Sequence, residues 1–106
     1  MHGSPVLVPF ENQASNLLSV YHILPVLLPK GACRVAVIGK LKEKKIQSSI
    51  HYPPFWDFNA YKGQFSPVDS PITAQICSRQ LTLPLFPTMT NSEVDQVTEA
   101  LLEAIK

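Results

Sequence analysis

The sequence predicts a small α+β domain, a three-stranded sheet with helices on one face, in the order β-α-β-(loop)-α-β-α. Three observations predict it. Two apolar runs interrupted by proline, 20–28 (VYHILPVLL) and 81–86 (LTLPLF), read as strands, and 46–52 (IQSSIHY) alternates roughly as a third. Between and after them, 32–45 and 90–105 repeat apolar residues at helical spacing. With 106 residues, 45% of them hydrophobic, the chain is one domain with enough apolar material for a single core.

Residues 1–19 hold two prolines, a glycine and the polar Glu11–Ser15 patch with no clear period, and read as a linker. The first strand, 20–28, looks covered on both sides, and Pro25 restricts it to an edge or a bulge. Pro29, Lys30 and Gly31 turn the chain into a helix over 32–45, whose apolar side carries Val35, Ala36, Val37, Ile38 and Leu41. Its wet side carries Lys40, Lys42, Glu43, Lys44 and Lys45. The strand over 46–52 stops at Pro53-Pro54. Residues 53–69 form a long loop that concentrates Phe55, Trp56, Phe58, Tyr61 and Phe65, aromatic surface of a kind that is usually functional or docked.

Ser70-Pro71 is a helix start, with Ile72, Ile76 and Gln80 on one face. The third strand follows over 81–86. Thr90-x-x-Glu93 is a capping box, after which Val94, Val97, Leu101 and Ile105 line one stripe of the last helix. The sheet's second face has no evident partner in the chain, so an apolar surface is expected there, and with it self-association.

Composition excludes several functions. Nine Lys/Arg against eight Asp/Glu give a formal charge of +1, which argues against an electrostatic grip on nucleic acid or an anionic membrane. Neither a signal peptide nor a run of the ~20 apolar residues a bilayer needs is present, so a soluble cytoplasmic setting is expected. Cys33 and Cys77 form no CxxC pair and read as small hydrophobes in a reducing compartment. His2, His22 and His51 lack metal-ligand spacing, and no Gly-rich phosphate loop exists.

The sharper feature is Ser48-Ser49-Ile50-His51-Tyr52-Pro53-Pro54. A strand ends there in two hydrogen-bonding side chains beside an aromatic loop, as in many ligand walls. The bland reading is a satisfied His-Tyr pair closing a core. Tyr21-His22 repeats the pattern on the first strand, where the bland reading is stronger.

Three stretches in order, residues 21–29, 41–54 and 81–90, resemble the C-terminal end of sugar-nucleotide aminotransferases of the DegT/StrS type, which are pyridoxal-phosphate enzymes. The resemblance implies the small domain of a fold type I aminotransferase over 20–106, with 1–19 as linker and the large cofactor-binding domain absent. It implies a fragment of an enzyme that aminates keto-sugar nucleotides, inactive alone, whose cofactor lysine and phosphate cradle lie in the missing large domain. None of the seven lysines here stands in a matching context. His51 and Tyr52, and less directly Tyr21 and His22, are implied near the substrate. No catalytic, cofactor-binding or metal-binding residue is implied in this chain. Partners implied are a large domain or further copies of the chain. Two departures from the family pattern stand out: Lys45 where a glycine is usual, and Ala74 where an acidic residue is usual. The competing reading is a free-standing binding or interaction module that uses the His51 wall or the uncovered sheet face.

Overall fold

The computed structural model describes residues 3–12 and 14–106. His2 lies outside the described residues. Strand β1 (Leu24–Leu27) pairs antiparallel with β2 (Gln80–Leu83), in the register Leu24↔Leu83, Pro25↔Thr82, Val26↔Leu81 and Leu27↔Gln80. Three helices accompany them: α1 (Arg34–Glu43), α2 (Pro71–Arg79) and α3 (Asn91–Ala104).

Among the described residues the sheet has two strands and not three, and both expected strands that form are shorter than the apolar runs that predict them. Residues 20–23 lie before β1, with Val20 and Tyr21 exposed, and Pro84 follows directly on β2. The third expected strand is reduced to one bridge, Ser49↔Thr82. A bridge that composition did not suggest, Leu7↔Leu27, adds part of the 1–19 segment to the other side of β1. Thr82 exchanges both main-chain bonds with Ser49, at 3.0 and 2.7 Å, and Leu27 exchanges both with Leu7, at 3.0 and 2.8 Å. By strand parity the main-chain N and O of Pro25 point the same way as those of Leu27, away from β2. Its missing N–H therefore costs the β1–β2 ladder nothing.

Alternation places Leu24, Val26, Leu28, Leu81 and Leu83 on the inner face, where they pack with Val37 and Leu41 of α1 and with Val97, Ala100, Leu101 and Ala104 of α3. Val6, from the expected linker, and Ile46 complete this core. The segment 3–12 thus folds back along the edge of β1 and adds Val6 to the inner-face core. Val35 is 78% exposed, so the buried stripe of α1 is Val37 and Leu41 with Ile38 beside them.

Helix α3 starts as the sequence predicts. Thr90 Oγ1 accepts from the Glu93 N–H at 3.2 Å, and Glu93 Oε2 accepts from the Thr90 N–H at 2.7 Å. Lys44 pairs with Glu103 across α1 and α3, and Lys40 Nζ donates to the Ala104 carbonyl at 3.3 Å. Hydrogen bonding from Lys44, and then its charge, hold the Glu103 carboxyl below its ordinary range.

Helix α2 departs from expectation. It starts at Pro71 after Ser70, but Ile72 is 73% exposed, and no residue of the helix is buried. Gln80 is not on its face; it is the first residue of β2. Guanidinium groups tie α2 down. Arg34 Nη1 donates to the carbonyls of Cys77 and, at 3.1 Å, Gln80, while Arg79 Nε donates to the Leu28 carbonyl at 2.7 Å.

The loop after residue 52 winds through three 3-10 turns, Phe55–Asp57, Asn59–Tyr61 and Pro67–Asp69. Phe55 is its centre, edge-on to Trp56, Tyr61 and Phe65 at ring separations of 5.1, 5.9 and 5.1 Å. Trp56 is buried, while Phe58, Tyr61 and Phe65 remain exposed. Among the described residues no helix is long and apolar enough to cross a membrane, and no cluster of His, Cys, Asp and Glu could hold a metal ion.

Candidate functional site

The chain reaches the site through the end of α1. Lys45, at φ 61°, occupies the left-handed position that closes the helix. Its N–H donates to the Lys42 carbonyl at 2.9 Å, and the Ile46 N–H donates to the Leu41 carbonyl at 2.9 Å. These two bonds are the Schellman closure that glycine usually makes. A side chain at that φ costs roughly 1 kcal/mol. The closure drives Ile46 into the core, where it is 6% exposed, and sends residues 47–52 along β2.

Along β2 the pairing starts at Ser49↔Thr82 and would continue at His51 opposite Gln80, two residues on. Both main-chain groups of Gln80 are already engaged. Its N–H donates to the Ile76 carbonyl and ends α2, and its carbonyl accepts from Arg34. The His51 N–H donates instead to Gln80 Oε1 at 2.8 Å. This diversion is why the alternating segment makes a bridge and not a strand.

It also builds a polar cluster on the sheet's second face, which carries Pro25, Leu27, Gln80 and Thr82. Gln80 and Thr82 are 5% and 7% exposed. Gln80 Nε2 donates to Thr82 Oγ1 at 2.6 Å, and Thr82 Oγ1 meets His51 Nδ1 at 2.8 Å. The expectation of an apolar second face fails at these residues. Tyr52 follows through a cis peptide, 65% exposed, with its ring edge-on to His51 at 4.8 Å and 85°.

His51 and Tyr52 therefore stand together, one half-buried and one exposed. Tyr21 and His22 are also exposed but lie beyond the Leu83 end of β2, where they border a cleft of about 600 Å³ with Val20, Leu85, Phe86 and Pro87. The structure does not bring the two pairs together. No hydrogen bond or ring contact joins them, and they lie toward opposite ends of β2. Sequence reasoning missed Gln80 and Thr82. The available signal was the pair of hydrogen-bonding side chains two residues apart, Gln80 and Thr82, flanking Leu81 in an otherwise apolar strand, which puts both on one face.

The seven lysines are all exposed, and the three glycines at positive φ, Gly3, Gly31 and Gly63, are far apart in the chain. These residues do not fit a complete pyridoxal-phosphate site, which needs a lysine inside a walled pocket and a phosphate cradle.

The sequence model of the DegT/DnrJ/EryC1/StrS aminotransferase family matches residues 2–102. The spore coat polysaccharide biosynthesis protein SpsC of Bacillus subtilis (strain 168) is 34% identical over 79 residues, covering 72% of this chain and 20% of SpsC. A Streptococcus pneumoniae protein, Spr1654, described as a sugar aminotransferase and solved in its PLP form, superposes with a TM-score of 0.86 at 25% identity. That match covers 97% of this chain and 27% of Spr1654. The aminotransferase TlmJ from Streptoalloteichus hindustanus shares the fold, with a TM-score of 0.79 at 20% identity over 95% of this chain and 26% of TlmJ. The chain spans about a fifth to a quarter of the length of these relatives.

Proposed function

This chain belongs to the DegT/DnrJ/EryC1/StrS aminotransferase family, and we propose that it forms the small, C-terminal domain of a pyridoxal-phosphate enzyme that aminates keto-sugar nucleotides. Residues 1–19 are the entering linker and residues 20–106 the domain. The superposition of nearly the whole chain on about a quarter of a sugar aminotransferase carries this reading. The cofactor lysine and phosphate cradle belong to a large domain, and the 106 residues are inactive without it. A cytoplasmic setting suits the two free cysteines.

His51 and Tyr52 are the substrate-facing residues of this reading. Both are hydrogen-bonding groups at the rim of the sheet, suited to the hydroxyl, carbonyl and phosphate oxygens of a sugar nucleotide. Tyr21 and His22 share that role only with a ligand or large domain that reaches the far end of β2. Nothing favours the free-standing module over this reading.

Two measurements test it. The chain alone, treated with pyridoxal phosphate and then borohydride, should carry no adduct at one defined lysine by mass spectrometry. Co-expressed with the part of SpsC that precedes the matched region, it should restore amino transfer to a keto-sugar nucleotide, and His51→Ala should reduce the rate at least tenfold. A folded, stoichiometric assembly without activity would overturn the reading.

A further inference from the structure

We propose that Gln80 and Thr82 are positioning residues that hold neutral His51 in its Nε2–H form, so that the ring offers one fixed hydrogen-bond donor to an acceptor oxygen of the ligand. The inference follows from donor and acceptor accounting around a closed ring of three bonds. A main-chain N–H only donates, so the side-chain atom of Gln80 that it meets at 2.8 Å is the carbonyl Oε1. The amide nitrogen of Gln80 is then the atom 2.6 Å from Thr82 Oγ1, and since an NH₂ only donates, Thr82 accepts there.

The hydroxyl proton of Thr82 has one described acceptor left, His51 Nδ1 at 2.8 Å. Nδ1 can accept only when it carries no proton, which places the proton of the neutral ring on Nε2. The reverse arrangement, with Nδ1–H donating to Thr82, would strand the hydroxyl proton of a residue that is 7% exposed. Folded proteins avoid such orphaned buried donors.

The other nitrogen is free to act. Among the described residues Nε2 has no hydrogen-bond partner, and the enclosed side-chain polar atom left without one is Ser48 Oγ, so Nε2 is not fully enclosed. The edge-on ring of Tyr52 braces the imidazole from the side. Since the two other members of the ring are both buried, the donor is preorganised before any ligand arrives. A ligand atom that meets Nε2–H must be an acceptor, such as a phosphate, carbonyl or hydroxyl oxygen, and an ammonium or amide N–H is rejected there. The use of this donor rests on the substrate-facing reading of His51 proposed above; the tautomer itself does not.

The test is long-range proton–nitrogen correlation spectroscopy on the full chain at about pH 9, well above the ordinary imidazole pKa. His51 should show a single Nε2–H pattern and the Thr82 hydroxyl proton should exchange slowly, while exposed His22 shows the averaged pattern of a free imidazole. Thr82→Ser should keep the His51 pattern, and Thr82→Val should collapse it onto that of His22 with the remaining amide spectrum in place. Gln80→Leu should act in the same direction, and if either of these variants fails to fold, the wild type and Thr82→Ser still decide. An Nδ1–H pattern at His51, or one averaged like that of His22 in the wild type, overturns the proposal. Failure of the substrate reading would appear elsewhere, as a His51→Ala assembly with unchanged amino transfer beside an intact Nε2–H pattern in the wild type.

Discussion

Helix α3 begins after a hydroxyl residue and carries apolar residues every three or four positions, and α2 does the same, yet only α3 buries its stripe. Val97, Ala100, Leu101 and Ala104 of α3 enter the core, whereas Ile72 and Ile76 of α2 stay exposed. The caps differ too. Thr90 makes its side-chain bond, while Ser70 makes none to the start of α2. Helix α2 is instead held by Arg34 and Arg79 reaching main-chain carbonyls. An amphipathic pattern thus names the face a helix would bury, and the rest of the fold decides whether anything lies opposite. In this chain the layer opposite α3 is present, and among the described residues none covers α2.

The largest expected effect separates the two helices directly. Leu101→Ala, at a fully buried position, should lower stability by about 2–5 kcal/mol in urea unfolding. Ile76→Ala, on the exposed face of α2, should stay within about 0.5 kcal/mol. Equal losses would break the comparison.

The polar fastening of α2 comes next. Arg34→Ala should cost about 1–3 kcal/mol, since charge-assisted bonds to two carbonyls are lost together. It should also speed amide exchange across 71–80 more than across 91–104. Arg34→Lys should not recover the loss, because the shorter lysine chain does not carry its ammonium to the position of Nη1, the atom that reaches both carbonyls. Uniform exchange in both helices would mean that α2 is held by something other than Arg34.

The caps sharpen the contrast at smaller scale. Thr90→Ala should cost about 1 kcal/mol, and Ser70→Ala only a few tenths, by differential thermal unfolding. The smallest effect belongs to the Lys44–Glu103 pair that links α1 and α3. Glu103 has a lowered folded-state pKa, so the stability it contributes is present above the ordinary carboxylate value and is lost as the pH falls through the lowered one. Glu103→Gln should therefore melt slightly below wild type at neutral pH and low salt, and the gap should close in acid or at high salt.

Local chemistry was legible wherever its partners are near in sequence. The Thr90–Glu93 box and the proline start of α2 at Pro71 involve groups within a few residues, so residue type alone determines them. The left-handed turn at Lys45 is the exception, because a lysine carries no signal for positive φ and the sequence reads it as part of the helix. The alternation in 46–52 was legible as well, and so was His51 beside Tyr52 at the end of that run. What only the tertiary structure decided was how each pattern was used. The third strand became a bridge because Gln80, 29 residues from His51, had given its N–H to α2 and its carbonyl to Arg34. Val6 left the expected linker for the core, and Gln80 left the expected helix to form the polar cluster with Thr82 and His51. Each of these outcomes is a competition for a hydrogen-bond partner or an apolar surface between segments distant in sequence. Periodicity records what a segment offers, and only the folded chain fixes which competitor takes it.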